Sequence, residues 1–114
     1  KSQLPEFLHS YANGLWHVPW SGKVGAKGMM SVRAAITALL AHDSLADVLR
    51  TSIAFTGDVD TVATIALGAA AGSDQYKQDI PEHLFFNLEN GEYGRNFLQS
   101  LDVKLLAHQK LSNI

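Results

Sequence analysis

The chain has no cysteine among its 114 residues. That absence excludes disulfides, thiolate nucleophiles and cysteine-based zinc sites, and the reduced cytoplasm suits such a composition. It also lacks a block of like charge. Nine basic and eleven acidic residues give a formal charge of −2, so the basic stripe that nucleic-acid binding needs is missing. No apolar run reaches the roughly 18–20 residues of a membrane span, and "KSQLPEFLHS" at the start has no apolar core of a signal peptide. The first residue is lysine, and the two methionines are Met29 and Met30. A processed chain, or the back part of a longer one, fits that beginning. What is plentiful is apolar material, 46% of the residues, enough for one domain with a modest core.

Helical periodicity dominates. "LPEFLHSYANG" reads as a short helix with Pro5 in its first turn and Gly14 at its end. The stretch "LWHVPWSGKVGAKG" breaks all periodicity and reads as a loop around Trp16 and Trp20. Ser31 is expected to cap a helix whose face is Val32, Ala35, Ile36, Leu39 and Leu40. Asp43 or Ser44 starts the next, with Leu45, Val48, Leu49 and Ile53 inward and Asp47 favouring the helix dipole. "VATIALGAAAG" is apolar all round and too short to cross a bilayer, so it is expected to be a central helix wrapped by the others. Its alanines, Gly68 and Gly72 would allow close approach. Pro81 opens a short helix, and the last helix carries Tyr93, Phe97, Leu98, Leu101 and Leu105 on one side. The expected fold class is all-α, a compact helical domain over 1–114 around that Ala/Gly-rich helix.

One segment concentrates the chemistry. "TGDVDT", residues 56–61, places two carboxylates and two threonine hydroxyls beside a glycine, just before the apolar helix. Three readings compete. Asp60 can be a helix cap, which leaves Asp58 unexplained, because a second carboxylate beside the first is unfavourable without a counter-charge. Asp58, Asp60 and Thr61 can instead converge as oxygen ligands on Mg²⁺, Mn²⁺ or Ca²⁺, at odds with zinc. An EF-hand is excluded, since the sixth and twelfth positions from Asp58 are Ala63 and Ala69. Thirdly, "DVDTV" fits the aspartyl-nucleophile pattern of haloacid dehalogenase-like phosphatases, which requires a buried parallel strand ending at the first aspartate.

The segment "AFTGDVDTVATIALGAAAGS" is similar to the metal-binding segment of the ADP-ribosylglycohydrolase family, which includes the dinitrogenase reductase-activating glycohydrolases. Upstream, "MSVRAAITALLAHDSLADVLRTSIAFTGDVDT" resembles the two helices that lead into that motif. Downstream, "IPEHLFFNLENGEYGRNFLQSLDVKL" resembles the family's closing helices. The resemblance spans about residues 21–106 and leaves the first 20 uncovered. It implies an all-α fold and a binuclear magnesium site acting at the anomeric carbon of ADP-ribose. Position by position, Asp58, Asp60 and Thr61 resemble the C-terminal metal ligands, Asp60 being the one shared between ions. Ser21, Gly22 and Gly25, in the glycine-rich loop before the first matched helix, resemble ligand contacts. The family's early Thr-Asp-Asp cluster and its separate catalytic acid have no counterpart here, so no catalytic residue is assigned. The resemblance thus implies half a metal site, completed by an upstream domain or a second chain, and weak or absent hydrolysis by this chain alone. A non-catalytic helical module keeping a vestigial motif is the competing reading, and self-association through an uncovered core surface is compatible with either.

The five histidines show no ligand spacing, and His42, His83 and His108 are expected at helix ends. Trp16 and Trp20 can stack on an adenine or plug the core under the loop.

Overall fold

The computed structural model describes residues 18–112, and those residues are helical apart from turns and two isolated β-bridges. The expected helix over "LPEFLHSYANG", with Trp16, His9 and His17, lies outside the described residues. Five helices follow: α1 Gly28–Ala41, α2 Leu45–Ala54, α3 Val59–Ala71, α4 Glu82–Phe86 and α5 Arg95–Ser112. The all-α class is therefore observed. The chain divides into two units, Lys1–Asp79 and Ile80–Ile114.

The first unit packs α1, α2 and α3 together. Its core is built of small side chains: Ala34, Ala35 and Ala38 of α1, Val48 of α2, and Val62 and Ala66 of α3, closed from the loop side by Val24. Among the described residues, valine is the largest that is fully buried. Alanine has the highest helix propensity and almost no side-chain bulk, so α1 and α3 are good helices that pack closely. Trp20, Met30, Leu39, Phe55, Leu67 and Tyr76 cover the rim of this core.

Three expectations are corrected here. Helix α1 begins at Gly28 rather than after Ser31, with Lys27 at its N-cap and no side-chain cap. Ser31 is a buried residue inside the helix, because the first helical bonds already run from the Met30 and Ser31 N–H groups to the Lys27 carbonyl. Helix α3 is not wrapped on all sides. Only Val62, Ala66 and Ala70 are buried, the i, i+4, i+8 row that faces α1 and α2. Ile65, Gly68 and Ala69 lie on the exposed side, so Gly68 serves no close helix contact. In α2 the inward row is Leu45, Ala46, Val48 and Ser52, while Ile53 is exposed. Of the two expected starts of α2, Asp43 and Ser44, the structure uses Ser44, whose hydroxyl accepts the Asp47 N–H at 3.2 Å.

In the second unit, α4 and α5 contain no buried residue. Pro81 stands at the N-cap of α4 as expected, and Tyr93 precedes α5 and meets the Phe97 ring edge-on at 5.1 Å. Phe97, Leu98, Leu101 and Leu105 are all exposed.

Candidate functional site

The site is built where the chain leaves α2 and enters α3. Two successive residues there have positive φ, Thr56 at 66° and Gly57 at 82°. Threonine in the left-handed region costs about 1–2 kcal/mol, so the surrounding contacts must hold the turn. Those contacts come from the glycine-rich loop. The Val24 N–H donates to the Thr56 carbonyl and the Asp58 N–H donates to the Val24 carbonyl, each at 3.0 Å. Val24 and Gly57 thus form a parallel β-bridge. Glycine is required at 57 for a second reason, since a Cβ there would lie 2.1 Å from the Val24 carbonyl oxygen and 2.9 Å from the Lys23 side chain.

This bridge unites the two sets of residues singled out in the sequence. The loop holding Ser21, Gly22 and Gly25 is tied directly to the motif holding Asp58, Asp60 and Thr61. Ser21 and Gly22 are exposed, Gly22 with φ 88°, and Gly25 rests on the Met30 side chain. Val24 and Lys23, which make the junction, carry no sequence signal of their own. Their role follows from a contact between residues more than 30 positions apart, and periodicity reports only neighbours along one element.

Asp58, not Asp60, occupies the N-cap position of α3, and its side chain makes no capping bond to the backbone. Its Oδ1 instead accepts the Thr61 hydroxyl at 2.8 Å. Asp60 lies in the first turn. The Asp58 carboxyl is within hydrogen-bonding reach of Asp60, and with the backbone N–H groups of Thr61 and Asp60 it holds the Asp60 carboxyl below its usual pKa. Simple capping by Asp60 is therefore replaced by a three-residue cluster at the start of α3: two neighbouring carboxyl groups, with the Thr61 hydroxyl donating to Asp58. Among the described residues no group of three or more His, Cys, Asp or Glu side chains converges as a metal site. The donor set of Asp58, Asp60 and the Thr61 hydroxyl is all oxygen and fits part of a hard-cation shell.

The stretch before the motif is α2 and a turn, so the buried strand end required by an aspartyl-phosphatase nucleophile is not formed there.

Trp20 is half-buried against the core, and its indole N–H donates to the Gly22 carbonyl at 3.0 Å. Its backbone N–H donates to Thr37 Oγ1 at 2.8 Å, and the Arg33 guanidinium stands 5.0 Å from its ring. It is a plug under the loop, with Arg33 against its π face. His42 ends α1, within 2.6 Å of the Thr51 hydroxyl, whereas His83 and His108 are exposed on α4 and α5.

No family model, no curated protein and no solved structure matches this chain.

Proposed function

We propose that residues 56–61 and the loop at 21–25 form one side of a divalent-cation site that engages ADP-ribose or an ADP-ribosylated substrate, as the C-terminal region of an ADP-ribosylglycohydrolase-like hydrolase. The observation that carries this reading is the placement of Asp58 and Asp60 at the start of α3, with the Thr61 hydroxyl bonded to Asp58 at 2.8 Å. Mg²⁺, with Mn²⁺ as substitute, suits three oxygen donors. Such an ion supplies Lewis-acid polarisation of the ribose and an activated water. The residues of this chain bind and orient. Asp58 and Asp60 would supply the anionic ligands, and the Thr61 hydroxyl, now on Asp58, would add a neutral oxygen. Val24, by holding the Asp58 peptide, fixes the first carboxylate relative to Ser21, Gly22 and Gly25, which would face the ligand. The ligands missing from a binuclear site come from an upstream portion or another chain, so the isolated chain is expected to hydrolyse weakly or not at all.

The test is calorimetric titration of the chain with Mg²⁺, then with ADP-ribose, in parallel with Asp60→Asn. Magnesium-dependent binding of ADP-ribose that is lost in the variant is the expected result. Absence of Mg²⁺ binding at millimolar concentration refutes it. That outcome would favour the second reading, a non-catalytic helical module, for which the uncovered apolar side chains of α5 are the supporting observation.

A further inference from the structure

The turn that leads into α5 holds an asparagine followed by a glycine, Asn90-Gly91, and both residues are exposed. The start of a helix leaves its first N–H groups open unless something outside supplies oxygen. Here the turn supplies it. The Arg95 N–H donates to the Glu89 carbonyl at 3.1 Å, and the Asn96 N–H donates to Asn90 Oδ1 at 2.9 Å. The backbone is folded closely over Gly94, where a Cβ would lie 2.6 Å from both the Glu89 carbonyl oxygen and Asn90 Cα. The main chain at 89–91 is therefore held in place while its side chains stay in water.

Three groups bear on the reactivity of the Asn90 amide. The Asn96 N–H polarises its carbonyl and points at the oxygen on which negative charge develops when a nucleophile adds to Cγ. The Gly91 N–H, the backbone nitrogen that can close a five-membered ring on that carbon, donates to no acceptor among the described residues. Glycine also sets no side chain beside it. The Glu89 carboxylate lies against Gly91, with Oε1 3.3 Å from where a Cβ of residue 91 would stand. It is the proton acceptor nearest the ring-closing nitrogen, as general-base chemistry requires.

We propose that Asn90-Gly91 is a self-modifying site, at which the folded turn promotes deamidation of Asn90 to aspartate and isoaspartate. The Gly91 nitrogen gives its proton to Glu89 and bonds to Asn90 Cγ. The Cγ–Nδ2 bond breaks, Glu89 returns the proton to the departing nitrogen, and ammonia leaves. Water then opens the succinimide at either carbonyl, giving aspartate from one and isoaspartate from the other. The two products act oppositely on α5. Aspartate keeps an oxygen for the Asn96 N–H and adds a negative charge where the helix dipole favours it. Isoaspartate carries the main chain through the former side-chain carbon, which lengthens the backbone between Glu89 and Arg95 and pulls both acceptors out of register.

The test incubates the full chain in neutral buffer and, in parallel, in concentrated urea at the same pH and temperature. Tryptic peptide 78–95 is then scored by mass, by fragmentation and by separation of its aspartate and isoaspartate forms. The other Asn-Gly pair, Asn13-Gly14, falls in a different tryptic peptide and does not interfere. Conversion at Asn90 is expected to run about tenfold or more faster in the folded chain than in urea. Glu89→Gln should remove that advantage, with the circular dichroism spectrum and the rate in urea unchanged. Gly91→Ala, which crowds the attacking nitrogen, should slow conversion in both conditions. A folded rate equal to or below the rate in urea overturns the proposal. So does an acceleration that survives Glu89→Gln, or conversion at Asn87 in place of Asn90.

Discussion

Replacing Gly57 by alanine tests the junction between the loop and the aspartate motif. The added Cβ would lie 2.1 Å from the Val24 carbonyl oxygen and 2.9 Å from its nitrogen, so the two backbones must part. Parting them removes the Val24 N–H bond to Thr56 and the Asp58 N–H bond to Val24, each worth about 0.5–1.5 kcal/mol. Alanine at φ 82° adds about 1–2 kcal/mol of left-handed strain. The lower entropy of the unfolded alanine chain returns roughly 0.4–1 kcal/mol. The net loss is about 1–4.5 kcal/mol, the sum of those terms. Urea denaturation followed by far-ultraviolet circular dichroism measures it. With a slope of about 1 kcal/mol per molar urea for a small unit, the midpoint should fall by about 1 M or more. Gly68→Ala is the matched control. Gly68 lies within α3, and a Cβ added there would meet nothing within 4 Å, so alanine should stabilise by roughly 0.5–1 kcal/mol through helix propensity. A Gly57→Ala midpoint within about 0.3 M of the parent, with the Asp58 amide still protected from exchange, would refute the bridge as the element that fixes the motif.

Two further outcomes follow from the same geometry. Ala66→Leu, on the fully buried row of α3, should cost about 1–3 kcal/mol by overpacking. Ala69→Leu on the exposed side should stay within about 0.5 kcal/mol, and equal effects at both positions would show the burial assignment of α3 to be wrong. Asp79 has its carboxyl pKa lowered, first by the Ala46 N–H it accepts. A folded pKa below the unfolded one gives stability that is present above the unfolded pKa and lost as pH falls through the folded one. Acid titration of the parent chain should therefore show a loss below about pH 4 that Asp79→Asn lacks, and identical acid limbs for the two proteins would contradict this.

The helices were legible because their signals are local. Ser44 stands where a capping hydroxyl is expected and does cap α2. Val48, Ala35 and Leu45 follow helical spacing and are buried. The start of α1 was less legible, because Gly28 and the two methionines carry no capping signature, and the buried Ser31 imitates one. Helix α3 misled for a different reason. Alanine and glycine look apolar on every face, yet such small side chains cost little when exposed, so hydropathy alone could not tell the buried row from the open one. Within the motif, Asp58, Asp60 and Thr61 stood out by residue type and spacing. That Asp58 takes the cap position while its carboxyl meets the Thr61 hydroxyl follows from how the turn is bent.

The sequence by itself determined an all-α chain, the order of its helices after residue 28, and a pair of aspartates at the start of an apolar helix, because periodicity, capping and residue chemistry act over a few positions. Tertiary structure alone decided that Val24 locks Gly57, that Asp79 completes the start of α2, and that one row of α3 is inside. Each of those depends on backbone donors and acceptors, or small side chains, meeting across long stretches of chain, and every residue carries the same backbone groups, so composition leaves no mark of which will meet.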